Sequence, residues 1–397
     1  KADEFIRIFE ERMNSLKIVK MVPASGSASR MFKTLNTFFN TYTGSDEDYL
    51  KFRQDKEPGS IFSFFEKLKE FPFYPHLKEA LYKDRLDLDK LLWKNQLIEI
   101  LEYILTPKGL NYNATPKGLI DFHIYRDHIR TAVEEHLVEA ALYANDGKEA
   151  HIHFTVSEEH IGKFKALMKS VLKNYQKEFN LKYDITYSVQ SPATDTVSLD
   201  TEGNLVRDNE GNIVFRPGGH GALIHNLNDL KEDLIFIKNI DNVAPDRSKA
   251  DTVKYKKILA GVLLKTQNQI FNYMKILSKK NSITDENLNE IEQYIYDHLG
   301  YKPKEGLVHT DRKERVAYLK QLLDRPLRVC GMVKNEGEPG GGPFWVEDHE
   351  HATRLMIVES AQVNLKDRNQ KKIFTQSTHF NPVDIVCSTY NYKGKKY

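Results

Sequence analysis

The stretch Ile18-Val-Lys-Met-Val-Pro-Ala-Ser-Gly-Ser-Ala-Ser-Arg-Met31 decides how this chain is read. Its first five residues are mostly apolar and make a short strand, and Pro23 helps to end it. A run of small residues follows, in which backbone N–H groups can approach phosphate oxygens unobstructed. Ser27 and Ser29 add hydroxyl donors, and the fork of Arg30 can bridge two phosphate oxygens. A Ser-rich surface turn explains the same residues equally well, so the rest of the chain has to decide.

Upstream, residues 3–17 place Phe5, Ile8, Phe9, Met13 and Leu16 on one face of an amphipathic helix. Downstream come long helical patterns, with Ile61, Phe64, Phe65 and Leu68 marking one helix and Leu91, Leu92, Ile98, Leu101 and Leu105 another. Residues 124–144 read as one helix closed by Asn145-Asp-Gly, and 158–178 as a second. Strands are expected at 151–156, 183–189 and 234–240, the last a near-continuous apolar run suited to a buried parallel strand. Two Glu-Gly-Asn turns predict short hairpins within 199–215, and no internal repeat stands out. Residues 250–299 are helical again, with Thr284 as an N-cap, and the last eighty or so turn β-rich. This alternation predicts an α/β fold with a mostly parallel sheet. It is expected as a single domain over 1–397, with helical insertions at about 34–112 and 246–320 and a β-rich part at about 325–397.

The 397 residues carry 58 Lys plus Arg against 56 Asp plus Glu, a net charge of +2 that argues against a dedicated nucleic-acid binder. Two cysteines, Cys330 and Cys387, are too few for a disulfide framework. No apolar run approaches the ~20 residues of a membrane span, and the first residues lack a secretory h-region. The expectation is a cytoplasmic protein with no membrane or nucleic-acid partner. The chain does not begin with Met, so it is expected to be a piece of a longer one.

Three further segments bear on chemistry. Thr115-Pro-Lys-Gly-Leu can aim the Lys117 ammonium back into a cleft, although a surface turn reads the same way. Phe215-Arg-Pro-Gly-Gly-His-Gly-Ala allows close backbone contact with a flat or anionic ligand. The strand Leu234–Ile240 delivers Asp241 and Asn242 to its C-terminal end, where open α/β sheets bind ligands and a carboxylate can hold Mg²⁺ against phosphate. His151 with His153, and Asp348-His-Glu-His351, lack a second cluster at zinc spacing.

In this order the segments resemble those of the sugar-1-phosphate nucleotidyltransferases of UDP-sugar pyrophosphorylase type, most closely a bacterial domain-of-unknown-function branch. The resemblance covers residues 18–243 and thins beyond them. It implies a glycosyltransferase A-type, Rossmann-like mixed sheet flanked by helices. Gly26, Ser29 and Arg30 match the signature loop, and Ala28 stands where the family has a second glycine. Ala24, Ser25, Gly26, Ser27 and Ser29 would then bind nucleotide. Gly218, Gly219, His220 and Gly221 would line the base, with His220 in place of the usual Asn and Gln190 reading the base edge. Arg30 and Lys117 would be catalytic, with Lys33 competing with Lys117 for the phosphate. Asp241 would hold Mg²⁺. Asn242, Gly340, Gly341, Gly342 and Glu359 fall where relatives hold the sugar. A second metal ligand is expected past residue 397. The implied reaction joins an NTP, UTP first, to a sugar-1-phosphate, giving an NDP-sugar and pyrophosphate. The alternatives are a nucleotide-sugar sensor on the same fold and a glycosyltransferase.

Overall fold

A computed structural model describes residues 1–26, 28, 31–279, 283–304, 311–337 and 340–397, with only the backbone at His220. Six strands form the central sheet: β1 (Ile18–Pro23), β2 (Glu149–Thr155), β3 (Lys182–Ser188), β4 (Leu234–Lys238), β5 (Leu327–Cys330) and β6 (Asp384–Ser388). Their order is β5-β6-β4-β1-β2-β3. Strands β1 to β4 run parallel, and β6 is antiparallel to both of its neighbours. The chain winds from β1 through β2 to β3 and then crosses to β4 on the opposite side. That reversal opens a crevice at the C-terminal ends of β1 and β4. The architecture is the mixed, mostly parallel α/β sheet flanked by helices that the sequence led us to expect.

Both faces of the sheet are covered, which is why β1 and β4 read as apolar runs rather than alternating ones. On one face Ile18, Val22, Ile152, Phe154, Leu234 and Phe236 pack under helices Ala2–Arg12, Ala132–Tyr143, Ile161–Phe179 and the first half of Asp246–Leu277. On the other, Val19, Met21, Ile235 and Cys387 meet Leu223 and Leu230, from the segment after the glycine loop.

The two helical blocks have cores of their own. Helices between Lys33 and Leu105 bury Phe52, Phe62, Leu77, Leu101 and Tyr103 together, and Ala28 joins them fully buried. The methyl of Ala28 therefore has a packing role. In the second block the helix Asp246–Leu277 serves two cores. Ala260, Leu263 and Leu264 bury in the central one, while Ile270, Met274 and Leu277 pack with Leu288, Ile291, Leu319 and Leu323.

Two local readings change. The helix expected over 124–144 begins only at Ala132, because Thr131 caps it reciprocally with Glu134 and residues 129–131 pair with 121–124 as strands. Within 199–215, Asp200 and Asp208 each accept the same set of backbone N–H bonds, from Glu202 and Asn204 and from Glu210 and Asn212. The two expected hairpins form, each closed by an antiparallel bridge, Leu199 with Leu205 and Arg207 with Ile213, but as tandem copies of one turn and so as a short internal repeat.

Between the sheet and helix Ala132–Tyr143 lies a buried group of charges. Glu139 accepts from Lys20 of β1 and Lys238 of β4, both at 2.8 Å, and from the Tyr143 hydroxyl at 2.9 Å. All four side chains are buried. Burial pulls the Lys20 ammonium down to about 7 against the attraction of Glu139. Burial alone would raise the Glu139 carboxyl, but Lys20 and Lys238 hold it well below the usual range. A third buried lysine, Lys256 of the long helix, meets Asp384 at the start of β6. Removing one partner of a buried pair strands the other charge, at a cost of about 3–5 kcal/mol. Glu139→Gln should lose about that much stability in urea denaturation. A loss below about 1 kcal/mol, the scale of a surface pair, would deny the network this role.

Candidate functional site

Two side chains separated by most of the parallel sheet in sequence meet at the crevice. Lys117 sits in a single helical turn, Lys117–Leu119, and Asp241 follows β4. The Lys117 ammonium lies 2.6 Å from one Asp241 carboxylate oxygen, with the side chains 25% and 34% exposed. The pair is held from below yet open to solvent above, so a ligand could reach both charges.

The backbone explains how they are held. A Cβ on Gly118 would stand 2.9 Å from Phe164 and Val133 side-chain carbons and 3.2 Å from Ile240. Only glycine lets the turn press this closely on the residue before Asp241. The Ile240 N–H donates to the Pro23 carbonyl at 3.3 Å, and its own carbonyl faces His136 Nε2 at 3.1 Å. Burial, then the nearby Lys20, keeps the His136 imidazole well below its usual range and so neutral. A carbonyl only accepts, so Nε2 carries the proton. The small-residue loop is tied to the same place. Ala24 N–H donates to Thr155 at 2.8 Å, Ser157 Oγ donates to the Ser25 carbonyl at 3.1 Å, and the Lys117 N–H reaches the Gly26 carbonyl at 3.5 Å.

A second group forms beyond β3. Gln190 Nε2 donates to the Gly218 carbonyl and to Thr194 Oγ1, both at 3.2 Å. A Cβ on Gly218 would meet the Thr194 carbonyl at 2.6 Å, so this glycine is fixed by packing, whereas Gly219 and Gly221 have open space on that side. Asn226 anchors the following helix by donating to Ser188 Oγ and the Val189 carbonyl, at 2.8 and 3.0 Å. The loop is thus drawn to the end of β3, at the same C-terminal edge of the sheet as Asp241.

Other expected residues fall differently. Ser27, Ser29 and Arg30 lie outside the described residues, as does the His220 side chain. Lys33 is exposed in the first turn of its helix. Asn242 donates to the Pro382 carbonyl at 2.8 Å, joining the loop after β4 to the one before β6. Gly340, Gly341 and Gly342 face Phe380, Ile357 and Ser377 at 2.4 to 3.0 Å from a virtual Cβ, so protein already fills their side-chain side. Glu359 is exposed and caps a short helical turn. His151 and His153 bond Thr186, and His153 also bonds Ser188. Among the described residues no three His, Cys, Asp or Glu side chains group as a metal cage, and no helix is long and apolar enough to cross a membrane.

Asp384 adds a carboxylate that the motifs read from the sequence do not include. It pairs in register with Lys238 at the C-terminal end of β4, three residues short of Asp241. It therefore brings a second carboxylate to this edge from within the chain. The signal was Asp384 opening an apolar run, Ile385-Val-Cys, which repeats in mirror image how Asp241 closes one.

These features define an α/β protein with a charged crevice at its topological switch point. The whole chain, residues 1–397, matches the family described as Domain of unknown function (DUF4301), and the protein belongs to it. No curated protein matches the sequence. Among solved structures the chain is similar to a UDP-glucose pyrophosphorylase from Leishmania major in complex with UDP-glucose. The two are 13% identical with a TM-score of 0.32, over 69% of this chain and 46% of that one. A UDP-glucose phosphorylase from Trypanosoma brucei gives the same four values. A uridine diphosphate N-acetylglucosamine pyrophosphorylase from Trypanosoma brucei, in complex with inhibitor, is 14% identical with a TM-score of 0.35, over 89% and 66%. The chain spans less than half the length of the first two and about two thirds of the third.

If Gly118 sets the position of Lys117, Gly118→Ala should lower stability by about 1–3 kcal/mol, the usual cost of overpacking. Gly219→Ala, with open space around it, should melt within about 0.5 kcal/mol of the parent. Equal effects in thermal unfolding would contradict the packing account.

Proposed function

We propose that the protein is a sugar-1-phosphate nucleotidyltransferase acting with Mg²⁺, with UTP as the first NTP to test. The observation that carries this reading is the contact of Lys117 with Asp241 beside the Ala24-Ser-Gly26 loop. A cation, a carboxylate and the backbone of a small-residue loop at one crevice suit a bound polyphosphate. An oxygen of the sugar-1-phosphate attacks the α-phosphorus. The bond from that phosphorus to the bridging oxygen breaks, and pyrophosphate leaves with the electron pair. Lys117 and Arg30 offset the charge that builds on the phosphate oxygens.

Asp241 fits a Mg²⁺ site of the kind that uses one or two carboxylates and completes its shell with water and phosphate. One of its oxygens contacts Lys117, and its partial exposure leaves the group reachable. Asp384 is the second carboxylate at that edge. The ion, when bound, neutralises phosphate charge. The Nε2 of Gln190 is already engaged with Gly218 and Thr194, which leaves Oε1 to accept from an N–H on the base edge. Gly219, Gly221 and the His220 backbone would lie against the base, and the loops carrying Asn242 and Glu359 would face the sugar.

The sensor reading draws support from the same contact, because Lys117 neutralises Asp241 without any metal. Pyrophosphate release from a panel of NTPs and sugar-1-phosphates separates the two. The enzyme reading expects Mg²⁺-dependent release that falls about 10²–10³-fold in Lys117→Met and Asp241→Asn, as on loss of one preorganised charge, with unchanged melting. Binding of a nucleotide sugar without metal, and no release from any pair, would favour the sensor and end the enzyme reading.

A further inference from the structure

A separate cavity of about 500 Å³ lies against β5, away from the Lys117–Asp241 pair. Its wall is apolar: Val262 and Ile270 of the long helix, Ile295, Leu323, Val329 and Ile357. The volume falls in the ~300–1,000 Å³ range of small-molecule pockets. Three arginines, Arg325, Arg328 and Arg354, also line it, and among the described residues no Asp or Glu does.

That charge pattern is unusual for an apolar hollow. Arg354 gives its Nε to Asp348 at 3.1 Å, and Arg325 donates one N–H to the Gln321 carbonyl at 3.0 Å. Neither bond uses all five guanidinium donors. Partial burial, then repulsion from Arg354, lowers the Arg325 guanidinium from its usual range. Arg325 and Arg328 are exposed, which puts them at the mouth, while the apolar residues form the interior. A group that is greasy at one end and anionic at the other satisfies both regions.

We infer that this cavity binds an amphipathic anion, an apolar body of roughly fatty-acyl length ending in a carboxylate or a phosphate held by Arg325 and Arg328. The inference stands independently of the nucleotidyltransferase reading, because none of these residues belongs to the crevice.

Calorimetric titration of the full chain with decanoate, decyl phosphate, decanol and inorganic phosphate, each below micellar concentration, tests it. One equivalent of decanoate or of decyl phosphate should bind, at least about tenfold more tightly than decanol or phosphate alone, the worth of one charge-assisted contact. Whichever of the two anions binds more tightly identifies the head group. Arg328→Gln, at an exposed side chain, should weaken the anion about tenfold and leave decanol unchanged. Met356→Glu, which puts a carboxylate on the lining, should abolish anion binding with folding intact by circular dichroism. No binding of either anion, decanol binding as tightly as the anions, or an Arg328→Gln protein with full anion affinity would each overturn the proposal.

Discussion

Glu139 stands between the ammonium groups of Lys20 and Lys238, and all three side chains are buried. Charges so placed are costly unless each finds a partner. The arrangement therefore permits little play between β1, β4 and helix Ala132–Tyr143. The same helix carries His136, which grips the Ile240 carbonyl just before Asp241. The next strand, β6, starts at Asp384 against buried Lys256. Each carboxylate of the crevice thus sits one short step from a buried lysine or histidine. The polar core fixes where the crevice residues stand, and the glycines decide how close they come.

Much of this was legible in the chain because it rests on short-range pattern. The apolar runs at 18–22 and 234–240 declared buried strands, and the structure puts Asp241 just past the end of one. Lys117 was legible through the Pro-Lys-Gly turn, and the structure brings it to Asp241 across 124 residues. Gln190 was expected near the glycine loop and bonds Gly218. Other features depend on distant partners. Lys20 and Lys238 each interrupt an apolar strand, which marks them as odd, but nothing local reveals that both share Glu139. Gly340 to Gly342 were expected by resemblance to meet a sugar, and on their side-chain side stand Phe380, Ile357 and Ser377. A glycine run reads the same whether a ligand or a side chain comes close. The capping box Thr131-x-x-Glu134 was local, and it outweighed the longer helical pattern around it.

The two helical blocks give the fold its asymmetry. The first adds a self-contained helical core beside the small-residue loop, joined to it through Ala28. The second shares the long helix with the central sheet and shapes the cavity at β5. Residues on one continuous helix therefore touch the buried charge network, at Lys256, and the remote cavity, at Val262 and Ile270.

The central claim is that Asp241, freed or shared by Lys117, holds a divalent ion together with a nucleotide's phosphates. Manganese can stand in for magnesium, and its electron paramagnetic resonance signal counts free ion directly. Titrating Mn²⁺ with and without UTP should show binding tighter than that of Mn²⁺–UTP alone only when protein and UTP are both present, and this gain should fall at least about tenfold in Asp241→Asn. Binding that is the same in Asp241→Asn as in the parent protein would contradict the account.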